Sequence, residues 1–171
     1  ADTVSYALAV EEISRVSGSI GITMTAHTSL GIYPLYRFGN DEQKSKYLPR
    51  LASGQGLAAF GLTEPEAGSD AGGVKTTAVL DGNEWVLNGQ KTFITSGSVA
   101  DVVIVAALTD RSAGTRGISN LIVEKGTPGF RPGRDEEKMG LKGSLTSQLF
   151  FEDCRVPREN LLGQIGEGFK Q

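Results

Sequence analysis

One cysteine and one histidine stand in 171 residues. Cys154 has no second thiol in the chain to pair with, which excludes an internal disulfide and suits an intracellular setting. A structural zinc site takes four clustered ligands, and Cys154 with His27 falls short of that set, so no metal is expected. Basic charge is also scarce: 17 Lys and Arg against 20 Asp and Glu give a net charge of -3. A phosphate backbone requires a basic surplus, so nucleic acid is not an expected partner. No apolar run approaches the roughly 20 residues that span a bilayer, and no membrane insertion is expected.

What is present reads as a globular chain, 39% hydrophobic and 22% charged, long enough for one domain or two parts of domains. It opens on Ala1-Asp2-Thr3 without Met and closes on Gly166-Glu167-Gly168-Phe169-Lys170-Gln171, a pattern that starts a helix. The expectation is a fragment of a longer chain.

The period of the apolar residues changes along the chain. In residues 3–16, Tyr6, Val10, Ile13 and Val16 recur at helical spacing, and Gly18 reads as the stop. A second helix is expected over residues 20–38, burying Ile22, Met24, Leu30, Leu35 and Phe38, with a bend or break at Gly31 and Pro34. A third follows Asn40, which with Gln43 forms a capping-box pattern, and Pro49 disturbs its end.

Beyond Gly56 the period falls to two. A strand is expected at 57–62. Residues 76–80 and 84–87 flank Asp81-Gly82-Asn83 as a hairpin, and Asn88-Gly89 reads as a second turn before 91–95. Residues 101–108 are nearly all Val, Ile and Ala, as in a strand buried on both faces. Further strands are expected at 119–124 and 145–152, with loops at 126–129 and 131–133. The fold class is α+β: a helical piece, residues 1–55, then an antiparallel β domain, about 56–160.

One stretch, GLTEPEAGSDAGG at 61–73, holds two hydroxyls, three acids and four glycines, more than a turn requires. Thr63 and Ser69 supply hydroxyls, and Gly68, Gly72 and Gly73 let main chain approach a ligand and point amides at it. Such a loop suits a phosphate or a flat ring edged with carbonyls. A Gly-rich turn capped by Asp70 is the plain alternative. No Gly-Lys-Ser/Thr follows, so this is no Walker loop, and Gly163, Gly166 and Gly168 lack the order of a Rossmann pattern.

This stretch closely resembles the signature of acyl-CoA dehydrogenases. The resemblance extends to YALAVEEISRVSGS at 6–19, FGNDEQKSKYLPRLASGQ at 38–55, WVLNGQKTFITSG at 85–97, GISNLIVEKGTPGF at 117–130 and the run from Lys138 to Lys170. Essentially the whole chain is covered, most like short-chain and butyryl-type members. The resemblance implies the end of an N-terminal helical domain (1–55), a barrel-like middle domain that binds FAD and acyl-CoA (56–160) and the start of a C-terminal helical domain (161–171). It also implies oxidation of an acyl-CoA thioester to trans-2-enoyl-CoA with FAD, electron transfer to an electron-transferring flavoprotein, and a homotetramer in the full-length protein.

Carried over residue by residue, Phe60, Gly61, Leu62, Thr63, Gly68 and Ser69 would line the flavin. Leu62 and Thr63 would face the pyrimidine edge of the ring, and Ser69 would also meet CoA. Phe93, Ile94 and Thr95 would pack beside the isoalloxazine, with the Thr95 hydroxyl near the nitrogen that accepts hydride. Many relatives carry Trp at position 93 and Asn at position 96, where this chain has Phe93 and Ser96. The catalytic glutamate of the family would lie beyond Gln171, so no residue here is assigned as base and the fragment alone is expected to be inactive. Glu64 is read as a structural acid of the loop, His27 as a packed or exposed histidine and Cys154 as a packed thiol. Trp85 is read as core, the 134–138 run as a solvated loop, and Lys142 is given no catalytic task. Two alternatives stay open: another flavoenzyme of the same fold, an oxidase or monooxygenase, and a non-catalytic binding module.

Overall fold

The structure, a computed structural model, describes residues 2–171. Helix α1 (Thr3–Val16) starts where the Asp2 side chain accepts the Ser5 N–H, and it ends at Ser17. Ser17 then caps helix α2 (Gly18–Ala26) by accepting the Ile20 N–H, so Gly18 begins a helix rather than stopping one. A π-helical turn follows (His27–Ile32), then α3 (Tyr33–Phe38). The expected single helix over 20–38 is thus divided. Pro34 has no N–H to give the Leu30 carbonyl, and the chain widens to the π pattern, with the Tyr33 N–H reaching back to Thr28. Gly31 sits on the turn because a Cβ there would lie 2.5 Å from the Cβ of Ala58.

Helix α4 (Asp41–Ala52) carries the expected capping box in full: the Asn40 side chain accepts the Gln43 N–H at 2.8 Å, and the Gln43 side chain accepts the Asn40 N–H at 3.1 Å. It continues three residues past Pro49. Tyr47 and Leu51 of α4, with Leu35 of α3, bury the contact with the sheet, each leucine worth about 1.5–3 kcal/mol. Of the residues expected buried on the second helix, Leu35 is, Met24 and Phe38 are half-buried, and Ile22 and Leu30 are exposed. Helix α1 buries no residue; Tyr6, Val10 and Ile13 are half-buried because its apolar face meets little beyond α2.

The sheet has eight strands: β1 (Ala58–Gly61), β2 (Thr77–Asp81), β3 (Glu84–Thr95), β4 (Val102–Leu108), β5 (Ile118–Glu124), β6 (Phe130–Asp135), β7 (Thr146–Pro157) and β8 (Leu161–Leu162). The order is β6-β7-β3-β2-β4-β5-β8, with β1 beside β4. Helical part followed by sheet is the architecture read from the sequence. The sheet itself is open and mixed rather than antiparallel throughout, since β1 runs parallel to β4, as does the single Thr77–Leu108 pair. Strand β4 is buried on both faces as its composition demands: Val103 and Val105 enter one core, Val102 and Ile104 the other.

A turn and a loop expected from the sequence are absent. Asn88-Gly89 lies within β3, because β7 absorbs the irregularity: Glu152 and Asp153 stand opposite Asn88, whose side chain bonds Asp153 at both ends. Residues 131–133 belong to β6, where Pro132 is tolerated because β6 is an edge strand. Trp85 is core, with its indole N–H donating to the Arg158 carbonyl at 3.3 Å. Among the described residues, no helix is long and apolar enough to cross a membrane.

Candidate flavin site

The two segments singled out in the sequence meet in space. Strand β1 delivers Phe60 and Gly61, and the chain leaves it at Leu62 and Thr63. Strand β3 delivers Lys91 to Thr95. The Thr92 N–H donates to the Thr63 carbonyl at 2.9 Å, joining the segments directly. At this point β3 bulges. Lys91 faces Leu149 and Ile94 faces Ser147, so Thr92 and Phe93 together oppose Gln148. The bulge turns the Phe93 ring outward, 63% exposed, with its main chain in the left-handed region at φ 57°. Few non-glycine residues adopt that conformation outside special sites. Ser96 is left-handed too, at φ 62°, a conformation that Asn tolerates well.

His27 holds β1 from the other side. The Ala58 N–H donates to Nδ1 at 3.0 Å, so the neutral ring carries its proton on Nε2, which faces the Leu51 carbonyl at 3.2 Å. Of the packed and exposed readings made from the sequence, the structure gives the packed one, with both ring nitrogens bonded to main chain.

The four glycines of the loop divide by what a Cβ would meet. At Gly61 it would stand 3.3 Å from Lys91 Cγ, at Gly72 2.9 Å from Thr115, and at Gly73 2.7 Å from Asp70. At Gly68 it would meet nothing within 4 Å. Three glycines therefore serve the packing of the chain, and Gly68, exposed beside exposed Ser69, leaves main chain open to a ligand. The Thr63 N–H has no acceptor among the described hydrogen bonds and its side chain is half-buried. Thr95 is half-buried at the end of β3, opposite Thr146. Ile94 is placed otherwise than the resemblance implies: its side chain is 3% exposed and belongs to the main core, leaving only its main chain for a ring. Beside Phe60 and Leu62 lies a cavity of about 310 Å³, lined also by Leu30, Pro34, Ala71 and Phe169.

Beneath the loop is an ion pair. Glu64 and Lys91 have side chains 5% and 0% exposed, with Nζ 2.7 Å from Oε1. The carboxylate also accepts the Lys75 N–H at 2.6 Å and the Thr76 N–H at 3.0 Å. Burial alone would push the Glu64 carboxyl up, but the bonds from Lys91 and Thr76 outweigh it and hold it below the ordinary carboxylate range. Glu64 is thus the structural acid expected. Sequence reasoning passed over Lys91, although one signal was available: it shares the parity of the buried Trp85 and Leu87 along the strand. Cys154 is buried and its thiol is pushed up to about 11 by burial, which makes it inert. Among the described residues, no group of three or more His, Cys, Asp or Glu could hold a metal.

Residues 1–55 match the family description "Acyl-CoA dehydrogenase, N-terminal domain", and residues 59–154 match "Acyl-CoA dehydrogenase, middle domain". The chain belongs to the acyl-CoA dehydrogenase family. It is 54% identical over 169 residues to an acyl-CoA dehydrogenase of Bacillus subtilis, an alignment that covers 99% of this chain and 45% of that protein. Butyryl-CoA dehydrogenase from Megasphaera elsdenii superposes with a TM-score of 0.96 at 49% identity, over 99% of this chain and 44% of that one. An acyl-CoA dehydrogenase from Bacillus anthracis, solved in complex with FAD, gives a TM-score of 0.90 at 50% identity, over 98% of this chain and 29% of that one. The chain spans less than half the length of these relatives.

Proposed function

We propose that this chain forms part of an FAD-dependent acyl-CoA dehydrogenase acting on short acyl-CoA thioesters. The observation that carries the reading is the Thr92–Thr63 bond, which joins the segment bearing the exposed Phe93 ring to the segment bearing the unpaired Thr63 N–H. An aromatic face, a free main-chain donor and a hydroxyl at one place fit the face and carbonyl edge of a flavin. When bound, FAD supplies the acceptor for the hydride leaving the β-carbon.

The chain's own residues orient it. Thr63 would donate to the pyrimidine edge, Phe93 would cover a face of the ring, and the Thr95 hydroxyl would stand near the acceptor nitrogen. Phe60, Gly61, Leu62, Gly68 and Ile94 complete the wall through main chain and packing. Ser69 meets CoA beside Gly68, and the apolar cavity next to Leu62 suits the acyl tail. Glu64 does not take the α-proton, because its carboxylate is already held by Lys91, Lys75 and Thr76. The base is proposed to follow Gln171, with residues 161–171 starting the domain that carries it, and residues 1–171 alone are proposed to be inactive. Electron-transferring flavoprotein is the proposed electron acceptor and a homotetramer the proposed assembly. The proposed setting is a bacterial cytoplasm or mitochondrial matrix, where thiols stay reduced.

The test is the anaerobic visible spectrum of the full-length protein before and after butyryl-CoA. Bleaching of a flavin spectrum supports the reading. A flavin spectrum that no thioester changes moves the protein to a flavoenzyme that does not use CoA, and no flavin after FAD is supplied refutes the site.

A further inference from the structure

Lys91 is the largest fully buried side chain among the described residues, and lysine is seldom fully buried without a partner. Its ammonium makes two bonds: to Glu64 Oε1 at 2.7 Å and to the Leu62 carbonyl at 3.0 Å. The second bond falls on the peptide that precedes the proposed flavin donor. The described residues contain no cis peptide bond, so the Leu62 carbonyl and the Thr63 N–H point in opposite directions within their peptide plane. With the carbonyl on Lys91, the N–H faces away from the ion pair. The next carbonyl, Thr63, is held by Thr92. Two successive peptides are thus pinned through their oxygens, and the amide between those oxygens is left without an acceptor.

We infer that Lys91, held by Glu64, is a positioning residue that fixes the Leu62–Thr63 peptide so that its N–H is presented to the carbonyl edge of the flavin; the inference rests on the flavin reading above. A side-chain ammonium does this where no strand ladder reaches, because the pairing of β1 with β4 ends at Gly61. A positive charge on the carbonyl oxygen also polarises the peptide and makes its N–H a stronger donor. Glu64 balances that charge, and its bonds to the Lys75 and Thr76 amides tie the far end of the loop to the same point.

A buried pair that serves stability alone can be replaced by uncharged groups of similar size with little loss. The test is the full-length protein with the double substitution Glu64→Gln and Lys91→Met, compared with wild type. FAD affinity is measured by fluorescence, the bound flavin by its visible spectrum, and the fold by circular dichroism. The expected result is a folded variant that binds FAD about tenfold more weakly, as for one oriented hydrogen bond, with a shifted flavin absorption envelope. A folded variant with the affinity and spectrum of wild type overturns the inference. A wild-type protein that binds no FAD overturns the flavin reading itself, and the inference with it. Should the variant not fold, amide hydrogen exchange on wild type decides. Slowing of Thr63 exchange by about tenfold or more on FAD binding supports the inference, and unchanged exchange there overturns it.

Discussion

The Thr92 N–H and the Thr63 carbonyl lie 2.9 Å apart, although 28 residues of chain separate their segments. Through this bond the loop that follows β1 is carried on the bulge of β3. Whatever disturbs either partner moves both halves of the candidate site together.

Phe93 holds a left-handed conformation with its ring mostly exposed. Phe93→Gly relieves about 1–2 kcal/mol of backbone strain. It gives back about 0.5–1 kcal/mol through the added freedom of the unfolded chain. Urea unfolding is expected to show the variant as stable as wild type or slightly more so. On the proposed site its flavin affinity should fall, because the ring proposed to cover the isoalloxazine is gone. A strongly destabilised variant would refute the strain assignment.

Gly68→Ala separates a ligand glycine from a packing glycine. A Cβ at Gly68 meets no protein atom within 4 Å, so stability should stay within about 0.5 kcal/mol of wild type. FAD or CoA thioester affinity should fall about tenfold or more, since the added methyl occupies ligand space. The control is Gly129→Ala, at φ 82° and with the Glu152 carbonyl 2.4 Å from the new Cβ; there the fold itself should suffer. Titration calorimetry beside thermal melts reads both.

Glu64 couples the loop to acid. Its carboxyl is held below the ordinary carboxylate range in the folded protein, so the unfolded chain takes up the proton first as pH falls. The stabilisation is present above the ordinary carboxylate pKa and is lost as pH drops through the depressed folded value. Stability measured from neutral pH into that range should fall more steeply for wild type than for Glu64→Gln. Parallel curves would show that Glu64 contributes nothing to the acid limb.

Tyr47 gives the alkaline counterpart. Burial, with a hydrogen bond to Glu124 at 2.9 Å, pushes its phenol up to about 12. A raised folded value means stabilisation that is full below the unfolded pKa near 10 and disappears as pH climbs toward 12. Ultraviolet titration should show a late phenol, and Tyr47→Phe should remove it. A titration curve unaltered by that substitution, apart from amplitude, would place the late phenol elsewhere.

Much of this was legible along the chain. The capping box at Asn40 and Gln43 is a local exchange of hydrogen bonds over three residues, and it formed as read. The β4 run is apolar at every position and is buried on both faces. Asn88-Gly89 misled, because a turn signal describes what a short peptide prefers. Pairing with β7 along twelve residues outweighs it, and β7 takes the bulge instead. Pro132 misled likewise, since only the sheet order reveals that its strand lies at an edge.

By itself the sequence determined the period of each segment, the caps, the exclusion of an internal disulfide by its single Cys, and a loop motif specific enough to declare a family. Those depend on residues near one another in the chain, where propensity and spacing act. Only the tertiary structure decided that Phe93 turns out and Ile94 turns in, that Gly68 alone among the loop glycines faces open space, and that Lys91 lies buried on the Leu62 carbonyl. The strand features depend on partners far along the chain: Ile94 pairs with Ser147 across β7, and Lys91 reaches Leu62 and Glu64, 29 and 27 residues away. Which carbonyl an ammonium reaches, and which face a bulge exposes, is set by strand register, and register exists only once the sheet has formed.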